Sequence, residues 1–70
     1  MMPLLFADRG KKYEIKKIAG NQDVKKHLED LGFTTGSMIS VISDVSGNLI
    51  VNVKDSRIAL NRELANKIYI

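Results

Sequence analysis

The segment Leu31-Gly32-Phe33-Thr34-Thr35-Gly36 divides this chain into two periodicities, and few folds accommodate both. Before it, Val24, Leu28 and Leu31 stand at i, i+4 and i+7, a single apolar stripe along a helix. After it, from Ser37 onward, apolar residues recur at the strand period of two. Gly32 is the predicted helix stop, because a left-handed residue past the last turn costs glycine nothing. With Gly32 at C′, Phe33 is C″ and packs back on Leu28. Gly36 then allows a second turn into the β region. Asn21 is the predicted N-cap, and Asp23 suits the positive end of the helix dipole. The spacing predicts a short helix of about three turns with its apolar face on a sheet.

The β region reads as Met38-Ile39-Ser40-Val41-Ile42-Ser43, then Leu49-Ile50-Val51-Asn52-Val53-Lys54, with Gly47-Asn48 as the hairpin signal between them. Leu49, Val51 and Val53 share the inward face. Asp55-Ser56 is the next predicted turn, leading to Arg57-Ile58-Ala59-Leu60. Asn61 to Asn66 reads as one capped helical turn, and Lys67-Ile68-Tyr69-Ile70 as a closing strand. On the N-terminal side, Lys11 to Ala19 alternates as far as Ile15 and then slips phase, since Ile15 and Ile18 are three apart. One strand with a bulge or strong bend accounts for this. Five short strands, an inserted helix and a helical turn predict a mainly β fold, a small five-stranded SH3-like barrel whose closure removes exposed edges.

Seventy residues form one domain, here 1–70, and leave little volume for an internal active-site cavity. An apolar share of 44% is enough for a packed core, so folding without a partner is expected. No cysteine is present, so packing alone must hold the fold, and neither a thiolate metal site nor a cysteine nucleophile exists. The start Met1-Met2-Pro3-Leu4-Leu5-Phe6-Ala7 lacks a basic leader and meets Asp8 and Arg9 at once, so it is read as chain and not as signal peptide. No stretch approaches the roughly 20 apolar residues of a membrane span.

Catalytic constellations are missing. His27 is the only histidine, and its place on the flank of the helix stripe predicts a half-buried boundary residue. Only Asp23 lies at facing helical distance from it, which supports at most weak transition-metal binding, since tight sites want three or four ligands. No nucleophile elbow and no phosphate loop occurs. The chain is therefore expected to be no enzyme, with no cofactor and no dedicated metal site. The net charge is +3, and Arg9, Lys11, Lys12, Lys16 and Lys17 cluster with only Asp8 and Glu14 to oppose them. This face serves solubility or attracts an acidic partner. Tyr13 is the one aromatic within it, and a core or edge role fits it better than base stacking.

The order Val24-x-x-His27-Leu28-x-x-Leu31-Gly32-Phe33-x-x-Gly36, preceded by Gly10 and followed by the hairpin and by Ile58-Ala59-Leu60, Ala65 and Ile68-Tyr69-Ile70, resembles the FeoA family. These are the small ferrous iron transport proteins A of bacteria. The pattern runs through nearly the whole chain. It departs from the family at Thr35, where proline is common, and at Lys25 and Lys26, where arginines are common. The resemblance implies an SH3-like domain in the cytoplasm that supports ferrous iron uptake. Its implied partner is the cytoplasmic part of the membrane G-protein transporter, ferrous iron transport protein B. Within that expectation, Lys25, Lys26, Glu29, Asp30, Phe33 and Thr34 are the candidate partner-binding residues. Gly10, Leu28, Leu31, Gly32, Gly36, Ala59 and Leu60 carry the structural motif. The alternatives are a basic barrel binding nucleic acid through its first strand, which this aromatic-poor sequence favours less, and an interaction domain like that of iron-dependent repressors.

Overall fold

Ile15 decides the topology of the N-terminal half. A computed structural model describing residues 1–70 places this side chain at zero exposure between two short strands, β1 (Lys12–Glu14) and β2 (Lys17–Ile18). The Ile15 N–H donates to the Ser37 carbonyl at 2.9 Å, while the next N–H, of Lys16, donates to the Tyr69 carbonyl at 2.8 Å. Consecutive residues thus bond to different sheets. The phase slip expected to mark a bulge is a change of sheet.

The remaining elements are a 3-10 turn (Leu4–Phe6), helix α1 (Gln22–Asp30), strands β3 (Met38–Val45), β4 (Asn48–Val53) and β5 (Ser56–Asn61), helix α2 (Arg62–Ala65) and β6 (Ile68–Tyr69). Six strands form two antiparallel sheets, one four-stranded in the order β1-β3-β4-β5 and one pairing β2 with β6. The expected five-stranded closed barrel is therefore corrected: the fold is mainly β with two helices, and no continuous ladder closes it. The physical reason is the break at Ile15, where backbone hydrogen bonds leave one sheet for the other. Enclosure comes instead from side chains. All thirteen buried residues are apolar and form one cluster drawn from both sheets, both helices and the N-terminal turn.

Strand β4 shows why these residues make strands. Leu49, Val51 and Val53 are buried, whereas Asn48 and Asn52 are exposed, the alternation of a half-buried strand. The two hairpin turns fall one residue earlier than the turn residues suggest. Val45 pairs with Asn48, so Ser46 and Gly47 form the first turn, with φ of 50° and 81°. Val53 pairs with Ser56, so Lys54 and Asp55 form the second, with φ of 47° and 63°. Both have the paired positive φ of two-residue turns that match strand twist. Core alternation set the register, and the turns took whichever residues lay between.

Between Val41 and Ser43 the β3 register shifts, leaving Ile42 as the extra residue of a bulge. Beyond it Asp44 stands opposite Leu49 and meets Arg62 of α2 at 3.1 Å. Asn61 caps α2 by accepting the Leu64 N–H at 2.8 Å, the capped turn expected there. No helix is long and apolar enough to cross a membrane.

Candidate partner-binding site

Helix α1 begins and ends as its sequence dictates. The Asn21 side chain accepts the Val24 N–H at 2.9 Å, and Asp23 stands in the first turn. At the other end the Gly32 N–H donates to the Glu29 carbonyl and the Phe33 N–H to the Leu28 carbonyl, each at 2.9 Å. This paired pattern is a Schellman motif, with Gly32 at φ 107°, a conformation other residues adopt only under strain. The motif turns Phe33 back into the core.

The corner is then fastened to β1 and β2. The Ser37 N–H donates to the Thr34 carbonyl at 3.0 Å, closing a four-residue turn with Gly36 at φ 90°. The Gly36 N–H donates to the Ile15 carbonyl at 2.8 Å, which answers the Ile15-to-Ser37 bond in the opposite direction. Thr34 Oγ1 and Ser37 Oγ share a hydrogen bond of 2.7 Å. The backbone of a buried residue, Ile15, thus positions the turn that shapes the surface.

On either side of this corner lies a cleft. One, of about 350 Å³, is lined by Ile18, Lys25, Glu29, Phe33, Thr34 and Thr35. The other, of about 530 Å³, is lined in part by Lys12, Ser37, Met38, Ser40, Asn52 and Lys54. Of the six residues selected from sequence, Lys25, Glu29, Phe33 and Thr34 meet in the first cleft, whereas Lys26 and Asp30 lie exposed outside it. Phe33 is corrected as a contact residue: its side chain is wholly buried, so it supports the cleft from below and offers a partner no surface. The Schellman motif that identified it as C″ was already a signal for burial.

Sequence reasoning did not select Ile18 and Thr35. Thr35 sits inside the conspicuous corner, so its position was a usable signal. Ile18 reaches the cleft only through the change of sheet, which the phase slip after Ile15 marks but does not distinguish from a bulge. Among the structural residues, Leu28 and Leu60 are core, Leu31 is half-buried against it, and Gly10 occupies the turn before β1, its N–H donating to the Val41 carbonyl at 2.9 Å. Ala59 faces solvent, alternating with the inward-facing Ile58 and Leu60 on β5. His27 is exposed, not half-buried, since Leu28 alone occupies the deep line of α1.

No three side chains of the His, Cys, Asp or Glu types come together as a metal-ligating group. The basic residues Arg9, Lys11, Lys12, Lys16 and Lys17 are all exposed, and of these only Lys16 forms an ion pair, with Glu14 at 3.7 Å. Tyr13 is engaged on two sides. Its hydroxyl accepts the Asp8 N–H at 3.0 Å, and Lys11 Nζ lies 5.8 Å from its ring centroid. Half-buried and covered in this way, it is a poor stacking platform for bases.

The FeoA domain family model matches residues 2–70. A protein of Methanocaldococcus jannaschii named as an Fe(2+) transport protein A is 37% identical over 70 residues, covering all of this chain and 85% of its own. A crystal structure of an iron uptake regulatory protein, FeoA, superimposes with a TM-score of 0.87 at 28% identity, covering 96% of this chain and 89% of that one. The zinc complex of Stenotrophomonas maltophilia FeoA, an SH3 domain protein, gives a TM-score of 0.83 at 20% identity, with coverage of 99% and 88%. A manganese-dependent transcriptional repressor shares the fold at a TM-score of 0.86 and 15% identity, over 97% of this chain and 39% of the repressor. The helix-and-corner surface described above is therefore carried by a member of the FeoA family, the accessory proteins of ferrous iron transport.

Proposed function

We propose that this protein acts in the cytoplasm by binding the cytoplasmic part of the ferrous iron transporter's membrane G protein, through the cleft beside α1. The carrying observation is that Lys25, Glu29 and Thr34 of the expected surface converge there, over a floor anchored by buried Phe33. Both ends of the surface are fixed before any partner arrives, the helix by its caps and the corner by its bonds to Ile15. Pre-organisation of this kind lowers the ordering cost of association. The rim offers one cation, one carboxylate and two threonine hydroxyls, suited to a polar partner surface with an apolar centre. Charges at such a rim set encounter rate and register more than total affinity. The role is one of contact, with no chemical step assigned to any side chain.

The test is a titration of isotope-labelled protein with the transporter's cytoplasmic GTPase domain, followed through backbone amide shifts. Lys25, Glu29, Thr34 and Thr35 should move first, and Lys25→Glu should weaken the interaction several-fold. If these amides stay still at high micromolar partner, the cleft is not the contact. A parallel titration with single-stranded RNA should leave the same amides unmoved.

A further inference from the structure

Strand β5 is the last strand of its sheet and pairs only with β4. Its register runs unbroken from Val53–Ser56 to Asn48–Asn61. A two-residue turn closes this hairpin, so the Val53–Ser56 pair is hydrogen-bonded and such pairs then alternate along the ladder. Ser56, Ile58 and Leu60 therefore bond to β4, while Arg57 and Ala59 direct their N–H and C=O groups away from the sheet. Natural edge strands are usually blunted by brevity, proline, a bulge or inward-pointing charge. Over its six residues β5 has no proline and no bulge, and one charged side chain, Arg57. The opposite edge, β1, has only three residues, and a bridge between Arg9 and Val41 adds to the cover of β3 beside it.

From this geometry we infer that β5 is a docking edge for an extended polypeptide segment of a partner, added as a fifth strand, with an acidic side chain facing Arg57. The occupant's class follows from the edge itself. Outward N–H and C=O groups at alternate residues are matched by the backbone of another strand. Its charge follows from Arg57, which has no ion pair, and from the chain's net charge of +3. Arg57 shares the solvent-facing row of the sheet with Asn52, Ser40 and Lys12, its in-register neighbours across four strands. An acidic side chain on the added strand extends that row beyond Arg57. Ala59, exposed and small, leaves the adjacent face unobstructed. The proposal is independent of the α1 cleft, which is built from other elements.

The experiment uses the full chain and an eight-residue peptide of alternating valine and threonine with one central glutamate. Amide exchange of Arg57 and Ala59 is followed as the peptide is added. Both amides should slow by about tenfold or more at saturation, because they become ladder donors. A peptide N-methylated at every residue keeps its charge but has no N–H on either edge, so it cannot complete the ladder and should give no protection. Ala59→Pro removes only an outward N–H, so it should abolish binding while the β4–β5 ladder persists. Should that variant fail to fold, the N-methylated peptide still decides the matter. Unchanged exchange with the parent peptide, or equal protection by the methylated one, overturns the proposal. Protection that grows with protein concentration in the absence of peptide would also overturn it, by making a second copy of the chain the occupant.

Discussion

The two turns on either side of the β3–β4 hairpin reach positive φ by different routes. At the corner, Gly32 and Gly36 supply it without strain, and the backbone then locks through bonds to Leu28, Glu29 and Ile15. At the β4–β5 turn, Lys54 and Asp55 adopt φ of 47° and 63° with no glycine at all. The Gly32 stop is specified locally by the helix it ends, while Gly36 is also fastened from outside by the Ile15 carbonyl. The second turn is imposed by the strands it joins, whose buried Val51, Val53 and Leu60 fix the register. Glycine turns shape the α1 cleft; sheet packing shapes the β5 edge.

The most severe way to break that comparison is Phe33→Ala. Truncating a wholly buried aromatic typically costs about 3–5 kcal/mol, a large part of what a domain of this size possesses. Chemical denaturation should show a sharply lowered midpoint, with Phe33→Leu retaining most of the stability.

Gly32→Ala separates backbone strain from crowding. A Cβ there would meet nothing closer than Val53 Cγ1 at 3.8 Å, so space is available and only φ resists. The expected loss is about 1–2 kcal/mol. A loss below a few tenths would mean that the corner is as malleable as the second turn.

Cap removal has a comparable but smaller effect. Asn21→Ala and Asn61→Ala should each cost about 1 kcal/mol, since each leaves one first-turn N–H without its acceptor. Asn21→Ala should also blunt the amide shifts at the α1 cleft, whereas Asn61→Ala should not.

The opposite sign is expected at the second turn. Replacing Lys54-Asp55 with Asn-Gly supplies the residues that tolerate positive φ and should stabilise the fold by about 0.5–1 kcal/mol in thermal or chemical melts. No gain would indicate that the present pair is already relaxed by its surroundings. The smallest effect belongs to Lys25→Glu, which should alter stability by no more than about 0.5 kcal/mol while weakening partner binding. That split identifies a surface used for contact.

Most of the local structure is legible in sequence. The stripe of Val24, Leu28 and Leu31, the Asn21 cap, the Gly32 stop and the return of Phe33 all appear where elementary rules put them, because each depends on neighbours within a few positions. The alternation of β4 is equally plain. The same rules located part of the cleft, since Lys25, Glu29 and Thr34 lie on one helix and its exit. They offered Phe33 as a contact although it is buried and placed His27 half-buried although it is exposed, because exposure depends on what packs above a residue, not on its motif. They missed Ile18 because it joins the cleft from a strand remote from the corner in sequence.

The chain by itself thus determines where the helix starts and stops, which residues alternate inward, and which family the order of these signals resembles. Only the tertiary structure decides that Lys11 to Ala19 serves two sheets, that the enclosure lacks a closed ladder, and that Lys54 and Asp55 form a turn. The difference is one of range. Helix caps and the Gly32 stop are settled by hydrogen bonds within six residues or so, whereas strand partners, register and burial are chosen among distant segments by the packing of one shared core.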